Sequence, residues 1–323
     1  MGKSLGIYAY RILPKRLLHT FALTYRSCTQ KRIEKYGPSC YRAELAKWFH
    51  RATGEILDVD NPESFNQKIQ WLKLYDSTEI KGRLADKFLV REWIEDKLGQ
   101  EYLVPLLGSW KNPADIDFDA LPSSFVLKTT LGSGTNLFIK DKSKVDFEAI
   151  RQQLNEWMTT DYAFSNGSFE LHYSLVQPRI IAEEYMDFSS SVDELIDYRF
   201  FCSWGKVFSI WCDIGSATHD YRRSVFDSSW KELDVKTGHP KAVPALPKPQ
   251  HAEKMKAIAE LLSKDFAFSR VDLYEYKGQI KFGEITFTPQ SGSIDFIPTS
   301  FNYWMGSNIT LPTKKKPFKG IML

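Results

Sequence analysis

No run of eighteen consecutive apolar residues occurs in the 323-residue chain, so the sequence offers no transmembrane helix. Arg11, Lys15, Arg16 and Arg26 interrupt the apolar stretches near the start, which leaves no continuous hydrophobic region of the signal-peptide kind. Cysteine is scarce. The four, at 28, 40, 202 and 212, lack metal-ligand spacing and point to a reducing, cytoplasmic compartment. Charge of one sign is almost balanced by the other: 43 Lys and Arg against 40 Asp and Glu leave +3, too little to imply a nucleic-acid partner. Internal repeats are also missing, which excludes a solenoid or propeller.

Aromatic residues are plentiful, with 22 Phe, 15 Tyr and 9 Trp, and the length suits two or three compact units. The first 36 residues hold eight Lys and Arg and one acid, Glu34, interleaved with apolar side chains such as Ile7, Leu17 and Phe21. Two readings stay open for this segment. A basic amphipathic stretch can lie on an anionic membrane surface, on the inner face of a membrane, or pack on the protein body with a solvated face. Helical spacing runs through 39–100. One helix stops at Gly54, and another opens after Asn61-Pro62-Glu63 with Ser64 as N-cap and Phe65, Ile69, Leu72 and Leu74 as its buried stripe. Short strands fill 101–150, a helix covers 146–158, strands dominate 178–233, and 252–264 is an amphipathic helix. This mixture indicates an α+β fold. Cys202 and Cys212 fall on paired strands and read as buried thiols.

The residues richest in chemistry are Arg270-Val-Asp272, Glu284-Ile-Thr286 and Pro289-Gln-Ser291-Gly292. FSRVDLYEY and QIKFGEITF alternate apolar and polar residues around the turn Lys277-Gly278, which predicts a hairpin. Such a hairpin brings Asp272 and Glu284 together, and close carboxylates call for a cation between them. Few, hard oxygen ligands suit Mg²⁺, with its other positions left to water and phosphate. Arg270 shares the face of Asp272 and can neutralise a transferring phosphoryl group. Upstream, an apolar strand delivers Lys128 to a loop containing Gly132, Ser133 and Gly134. Glycines admit close backbone approach to an anion, but no Gly-Lys-Ser/Thr follows them, so this is no Walker A loop.

Together these segments resemble the ATP-grasp superfamily, whose members carry an Arg-x-Asp strand, a Glu-x-Asn strand and a Pro/Gly loop. Thr286 takes the place of the Asn. The resemblance implies two α+β subdomains clasping ATP, behind a helical N-terminal region. It places Lys87, of Asp86-Lys87 opening the helix DKFLVREWI, and Lys128 on the phosphates, under the loop of Gly132, Ser133 and Gly134. It makes Glu183, Glu184, Tyr185 and Met186 the adenine hinge. Asp197 faces the ribose, Arg199 and Arg270 serve catalysis, and Asp272, Glu284 and Thr286 hold the metal. More narrowly, NPESFNQKIQWLKLYD, DYRFFC and GEITFTPQSG resemble the TupA-like, teichuronopeptide-biosynthesis branch, associated with capsule and surface polysaccharide.

The implied domains are 1–85, helical; 86–180, with the lysine strand and glycine loop; 181–312, with the metal site; and a basic tail at 313–323. The implied activity is ATP- and Mg²⁺-dependent ligation of a carboxylate, such as a uronic acid, to an amine through an acyl phosphate. The segment 214–227 should overhang the site, with His219, Arg222 and Arg223 offered to an anionic carbohydrate and Ser291 and Gly292 completing the substrate subsite. Two rivals are a nucleotide-sugar glycosyltransferase and an inactive ATP-grasp binding module. Asp58-Val-Asp60, the Asp-x-Asp pair a glycosyltransferase would use, lies far upstream of the other motifs. The Asn-to-Thr change at Thr286 keeps the binding-module reading open.

Overall fold

The computed structural model describes residues 31–33, 35–164, 167–187, 195–215, 220–313 and 315. Residues 1–30 and Glu34 of the basic N-terminus and most of the basic tail therefore lie outside the described residues, while Ile33 is buried in the core and Arg32 Nε lies 2.6 Å from Glu44 Oε1. No helix among the described residues is long and apolar enough to cross a membrane.

Among the described residues, helices α1 (Tyr41–Thr53), α2 (Phe65–Tyr75), α3 (Glu79–Ala85) and α4 (Val90–Leu98) precede the first sheet. Gly54, at φ 77°, ends α1 in the left-handed conformation that a side chain resists. Ser64 caps α2, its hydroxyl accepting the Gln67 N–H at 3.3 Å. The expected start of the fourth helix at Asp86 is corrected: residues 86–89 form a turn, and Asp86 Oδ1 accepts the N–H groups of Phe88 and Leu89 at 2.8 and 2.9 Å before the helix begins.

Two antiparallel sheets follow. The first has the order β1 (Leu106–Trp110), β4 (Ile180–Glu184), β2 (Phe125–Thr129), β3 (Asn136–Ile139). Helix α5 (Phe147–Met158) buries Ile150 and Leu154 in the core with Phe125 and Leu127. The expected boundary at 180/181 cuts through β4, which lies inside this sheet, so the first sheet extends to Glu184.

The second sheet has the order β10 (Gln279–Thr286), β9 (Ser269–Tyr276), β5 (Ile196–Ser203), β6 (Lys206–Ile214), β7 (Arg222–Asp227). Helix α6 (Ala252–Ser263) covers one face with Met255, Ile258, Ala259 and Leu262 against Phe200, Cys202, Ile210 and Val271. Cys202 and Cys212 are buried thiols on the paired β5 and β6, and burial pushes Cys202 up to about 12. A two-stranded ribbon, β8 (Lys236–Thr237) with β11 (Phe296–Ile297), and α7 (Ser300–Ser307) complete the fold.

The N-terminal helices are not an independent unit. Phe65 on α2 meets Phe201, Phe268 and Phe296 at ring centroids of 6.1, 5.3 and 6.0 Å. Helix α3 packs against a short turn at Leu171–Leu175 so closely that a Cβ on Gly82 would come within 2.7 Å of the His172 carbonyl. His172 is sealed beneath it, with Nε2 lacking a partner. Burial first, then the charges of Lys81 and Lys73, lower its pKa from 6.5 to about 3.

That depression gives a testable pH dependence. Below about pH 6.5 the unfolded chain takes up a proton that the folded chain refuses. Stability present above that pH is lost as pH falls toward 3, at up to roughly 1.4 kcal/mol per pH unit. His172→Gln should flatten the dependence between pH 6 and 4 by up to that slope, measured by urea denaturation. Parallel curves for the two proteins would contradict this account.

Candidate active site

The expected hairpin forms, with Lys277 (φ 51°) and Gly278 (φ 72°) making its two-residue turn. From the turn, Gln279 pairs with Tyr276 and Phe282 with Leu273. Continued regularly, this register would set Asp272 opposite Gly283 and send Glu284 to the other face. A shift between Phe282 and Glu284 pairs Glu284 with Asp272 instead. Gly283 permits the bulge: a Cβ there would stand 2.6 Å from the Tyr274 ring and 3.1 Å from the Asp272 carbonyl.

Arg270 lies between the two acids. Its Nε and Nη2 donate to Asp272 Oδ1 and Oδ2 at 2.7 and 2.6 Å, and Nη2 also reaches Glu284 Oε1 at 2.6 Å. Thr286 does not stand apart as a ligand in this arrangement. Its hydroxyl donates to Glu284 Oε1 at 2.9 Å and accepts from Arg270 at 3.2 Å. Burial pushes Asp272 up to about 6 against the pull of Arg270 and Arg199. Burial also opposes the charge on Glu284, but Arg270, Lys87 and Arg199 outweigh it and hold that carboxyl at about 2. Glu284, about 39% exposed, faces the cleft; Asp272 lies deeper.

The polar face continues across the sheet. Arg199 pairs with Asp272 across β5 and β9, with Nε 3.5 Å from Oδ2, and its Nη1 lies 2.7 Å from Asp213 Oδ2. Asp197 takes its other branch at 3.3 Å. Burial disfavours the charge on Arg199, but Asp213, Asp272 and Asp197 more than restore it.

Asp213 is completely buried and also holds Arg223, whose Nη2 donates to Oδ2 at 2.7 Å while Nη1 reaches Thr237 Oγ1 at 2.9 Å. This corrects the expectation for Arg223. It is a buried anchor on the edge strand β7, not a cation overhanging the site, because β7 continues the sheet where a loop was expected. Arg222 is turned outward and paired with Asp220 at 2.8 Å. His219 lies outside the described residues.

The first sheet supplies the opposite wall. Lys128 Nζ and Arg91 Nη1 lie 2.6 and 2.8 Å from the two oxygens of Glu183. Lys87 donates from its main-chain N–H to Thr130 at 3.1 Å and from Nζ to the Gly132 carbonyl at 2.9 Å, so it tethers the glycine loop. Burial lowers the Lys87 pKa and Glu284, across the cleft, raises it. Gly132 (φ 83°) and Gly134 (φ 76°) are left-handed, and a Cβ on Gly132 would meet the Tyr162 ring at 2.2 Å. Ser133 is exposed at the tip. Lys87, Arg91, Lys128, Asn136, Glu183 and Glu284 thus line one cleft between the sheets, and Asn136 Oδ1 is buried there without a partner. Glu184, the last residue of β4, is exposed, and Tyr185 and Met186 after it are half-buried. The Asp187 N–H donates to the Tyr276 hydroxyl on the hairpin at 3.2 Å, which ties this segment to the second sheet.

Ser291 and Gly292 sit in a turn where Gln290 (φ 46°) and Ser291 (φ 53°) are left-handed. Two side chains of α2 draw its carbonyls inward: Gln70 Nε2 donates to Gly292 at 2.8 Å and Lys73 Nζ to Ser291 at 2.7 Å.

Sequence reasoning missed Arg91 and Asp213. Arg91 follows Lys87 by four residues, which on a helix starting at Asp86 would have signalled a shared side. Asp213 gives no such signal, since only the strand register reveals it. Asp58 Oδ1 caps its own turn by accepting Asp60 and Asn61 N–H groups at 3.0 and 2.9 Å, and Asp60 pairs with Arg42. The same spacing recurs at Asp115-Ile-Asp117, where Asp117 also caps a turn.

The family model for TupA-like ATP-grasp proteins matches residues 67–310, which contain every element of the two cleft walls. The chain belongs to the TupA-like ATP-grasp family. Among curated proteins no relative matches by sequence. Solved structures similar to this ATP-grasp chain include D-alanine–D-alanine ligase from Bacillus anthracis, at 14% identity and TM-score 0.40, covering 64% of this chain and 57% of that one. The same ligase from Helicobacter pylori matches at 12% identity and TM-score 0.40, covering 78% and 69%. The ATP-grasp ligase PsnB, in a complex with a minimal precursor, Mg and ADP, matches at 12% and 0.36, covering 66% and 53%. The chain thus spans little more than half the length of the Bacillus ligase.

The bulge gives a direct test of the site. Gly283→Val should force the hairpin toward regular register and move Glu284 off the face of Asp272. Mg²⁺-dependent nucleotide affinity, measured by calorimetry, should fall at least tenfold. Unchanged affinity in a folded variant would show that the bulge does not set the site.

Proposed function

We propose that this ATP-grasp chain is an ATP-dependent carboxylate–amine ligase of capsular or cell-surface polysaccharide synthesis, forming an amide on a uronic acid or a peptide linkage. The observation that carries this reading is the Asp272–Arg270–Glu284 cluster facing Lys87, Lys128 and Arg91 across one cleft. Excess cations on one wall suit the triphosphate. The unshared acceptor capacity of Glu284 and the buried, unpartnered Asn136 Oδ1 suit further polar ligands there.

Asp272 and Glu284, with Thr286 beside them, would hold Mg²⁺, which when bound screens the phosphate oxygens. Lys87 and Lys128 neutralise charge on the transferring phosphoryl group, and the Gly132–Gly134 loop closes over it. Glu184, Tyr185 and Met186, at the mouth of the cleft, frame the adenine, and Asp197 accepts from the ribose. A substrate carboxylate attacks the γ-phosphorus to give an acyl phosphate. An amine then displaces phosphate. Arg199 and Arg270 stabilise the developing charge, and Arg222 and His219 draw in an anionic carbohydrate.

Asp272→Asn and Glu284→Gln should each lower ADP release at least a hundredfold while circular dichroism shows the chain still folded at the assay temperature. The assay pairs Mg·ATP with a panel of uronates and amino acids, with mass spectrometry of the product. Full activity in both variants would disprove the site. A binding module without turnover is the second reading, favoured by Arg270 already filling the gap between the acids. It is upheld if the chain binds Mg·ATP but releases no ADP with any pair.

The basic stretch 1–36 adds peripheral membrane attachment to the proposal, at roughly 1 kcal/mol per Lys or Arg near an anionic surface. Deleting it should weaken salt-sensitive sedimentation with anionic vesicles without removing ADP release. Equal sedimentation of both forms would refute the attachment.

A further inference from the structure

Glu170 is a carboxylate that neither the nucleotide nor the metal end of the cleft employs. It is half-buried ahead of the Leu171–Leu175 turn. Its protein partners are hydroxyls: Thr288 Oγ1 donates to Oε2 at 2.5 Å, Ser291 Oγ to Oε1, and Ser168 Oγ approaches Oε1 at 3.5 Å. A carboxylate has about four acceptor sites, so this set leaves room for a further donor. Among the described residues Glu170 forms no ion pair. Lys73, the cation whose field it shares, spends all three N–H donors elsewhere, on Gln70 Oε1 at 2.9 Å and on the Ser168 and Ser291 carbonyls at 2.7 Å each.

The position of Glu170 is tied to the metal end. Thr288 follows Thr286 by two residues on the way out of β10. Tyr173 stands in the fields of Glu170, Glu284 and Arg270: burial first, then the two carboxylates, raise its phenol well above the ordinary value. Ser291, the other hydroxyl on Glu170, belongs to the left-handed turn that α2 pins from beneath. A carboxylate with no direct ion pair among the described residues, fixed by hydroxyls of the segment that leaves the metal strand, is complementary to an incoming ammonium.

We propose that Glu170 receives the ammonium group of the amine substrate, a role that rests on the ligase reading above. The ammonium passes one proton to the carboxylate, which frees the nitrogen lone pair. That pair forms the C–N bond to the acyl carbon. The C–O bond to the phosphoryl group breaks, phosphate leaves with the electron pair, and the nitrogen sheds its second proton to the departing phosphate. Lys73 and Gln70 are positioning residues for the turn.

The test compares wild type with Glu170→Gln and Glu170→Asp. Mg·ATP with D-galacturonate or D-glucuronate is supplied either with glycine, L-alanine or L-lysine, or with hydroxylamine, which is mostly uncharged at pH 7 and traps an acyl phosphate without an ammonium site. Glu170→Gln should keep Mg·ATP affinity and hydroxamate formation within about threefold. Amide formation should lose at least tenfold in kcat/KM, mostly through the KM of the amine, and Glu170→Asp should recover part of it. Equal losses with hydroxylamine and the amines, or a lowered melting temperature with no selective loss, would reduce Glu170 to a structural tie and overturn the proposal. No ADP release, amide or hydroxamate from wild type with these probes would remove the ligase reading itself, and this role with it.

Discussion

Two carboxylates on neighbouring strands of a mostly buried face must be compensated, and in this chain Arg270 does it. One guanidinium spans Asp272 in a fork and reaches Glu284 with the same branch, the planar geometry for which arginine is suited and lysine is not. Burying these groups carries a large desolvation cost, recovered only where every charge meets an opposite one. The rest of the sheet follows from that requirement. Arg199 offsets Asp272 from the other side, Asp213 and Asp197 offset Arg199, and Arg223 with Tyr221 completes the shell of Asp213. The alternation of sign runs from β10 to β7. Removal of one interior member would leave its neighbour buried and unpaired, so the row behaves as one unit.

The row ends abruptly where aromatic packing begins. Arg199 and Phe201 point to the same side of β5, two residues apart, and Phe201 stacks near Trp211 at 4.3 Å and meets α2 through Phe65. The charged half of the face is therefore left to the cleft, and the apolar half receives the N-terminal helices. Helix α2 serves both halves. Its apolar residues fill the aromatic core, while Gln70 and Lys73, wholly buried, reach the carbonyls of the turn after β10. Ordering a turn with two consecutive left-handed non-glycine residues is costly, and such a turn persists only where surrounding contacts over-determine it. The N-terminal helices provide that constraint, so they are part of the site and not an appendage to it.

Much of this was legible in the sequence, for identifiable reasons. Helices α1, α2 and α5 carry apolar periodicity with Gly54, Ser64 and Asp146 respectively at an end, α6 carries the periodicity without such a cap, and the hairpin carries alternation around Lys277-Gly278. The pairing of Asp272 with Glu284 was expected for an incomplete reason. Counting outward from the turn in regular register puts them on opposite faces, and only the bulge at Gly283 reunites them. A glycine within an alternating strand is the available signal for such a bulge, but it does not say on which side the extra residue falls.

What stayed hidden is long-range. The place of β4 depends on pairing with β1 and β2, more than fifty residues upstream, and no local pattern distinguishes a strand that closes one sheet from one that opens the next. Arg223 has the composition of a surface loop residue until β7 is seen to pair with β6 and to set it opposite Asp213. Glu170 sits in a segment without periodicity, and its partners lie 118 and 121 positions away. In each case the deciding contact is between charges or hydroxyls brought together by register and not by spacing along the chain. A two-walled cleft makes this unavoidable. Each wall can be read locally from its own strands, whereas the chemistry depends on which side chains the two walls present to each other.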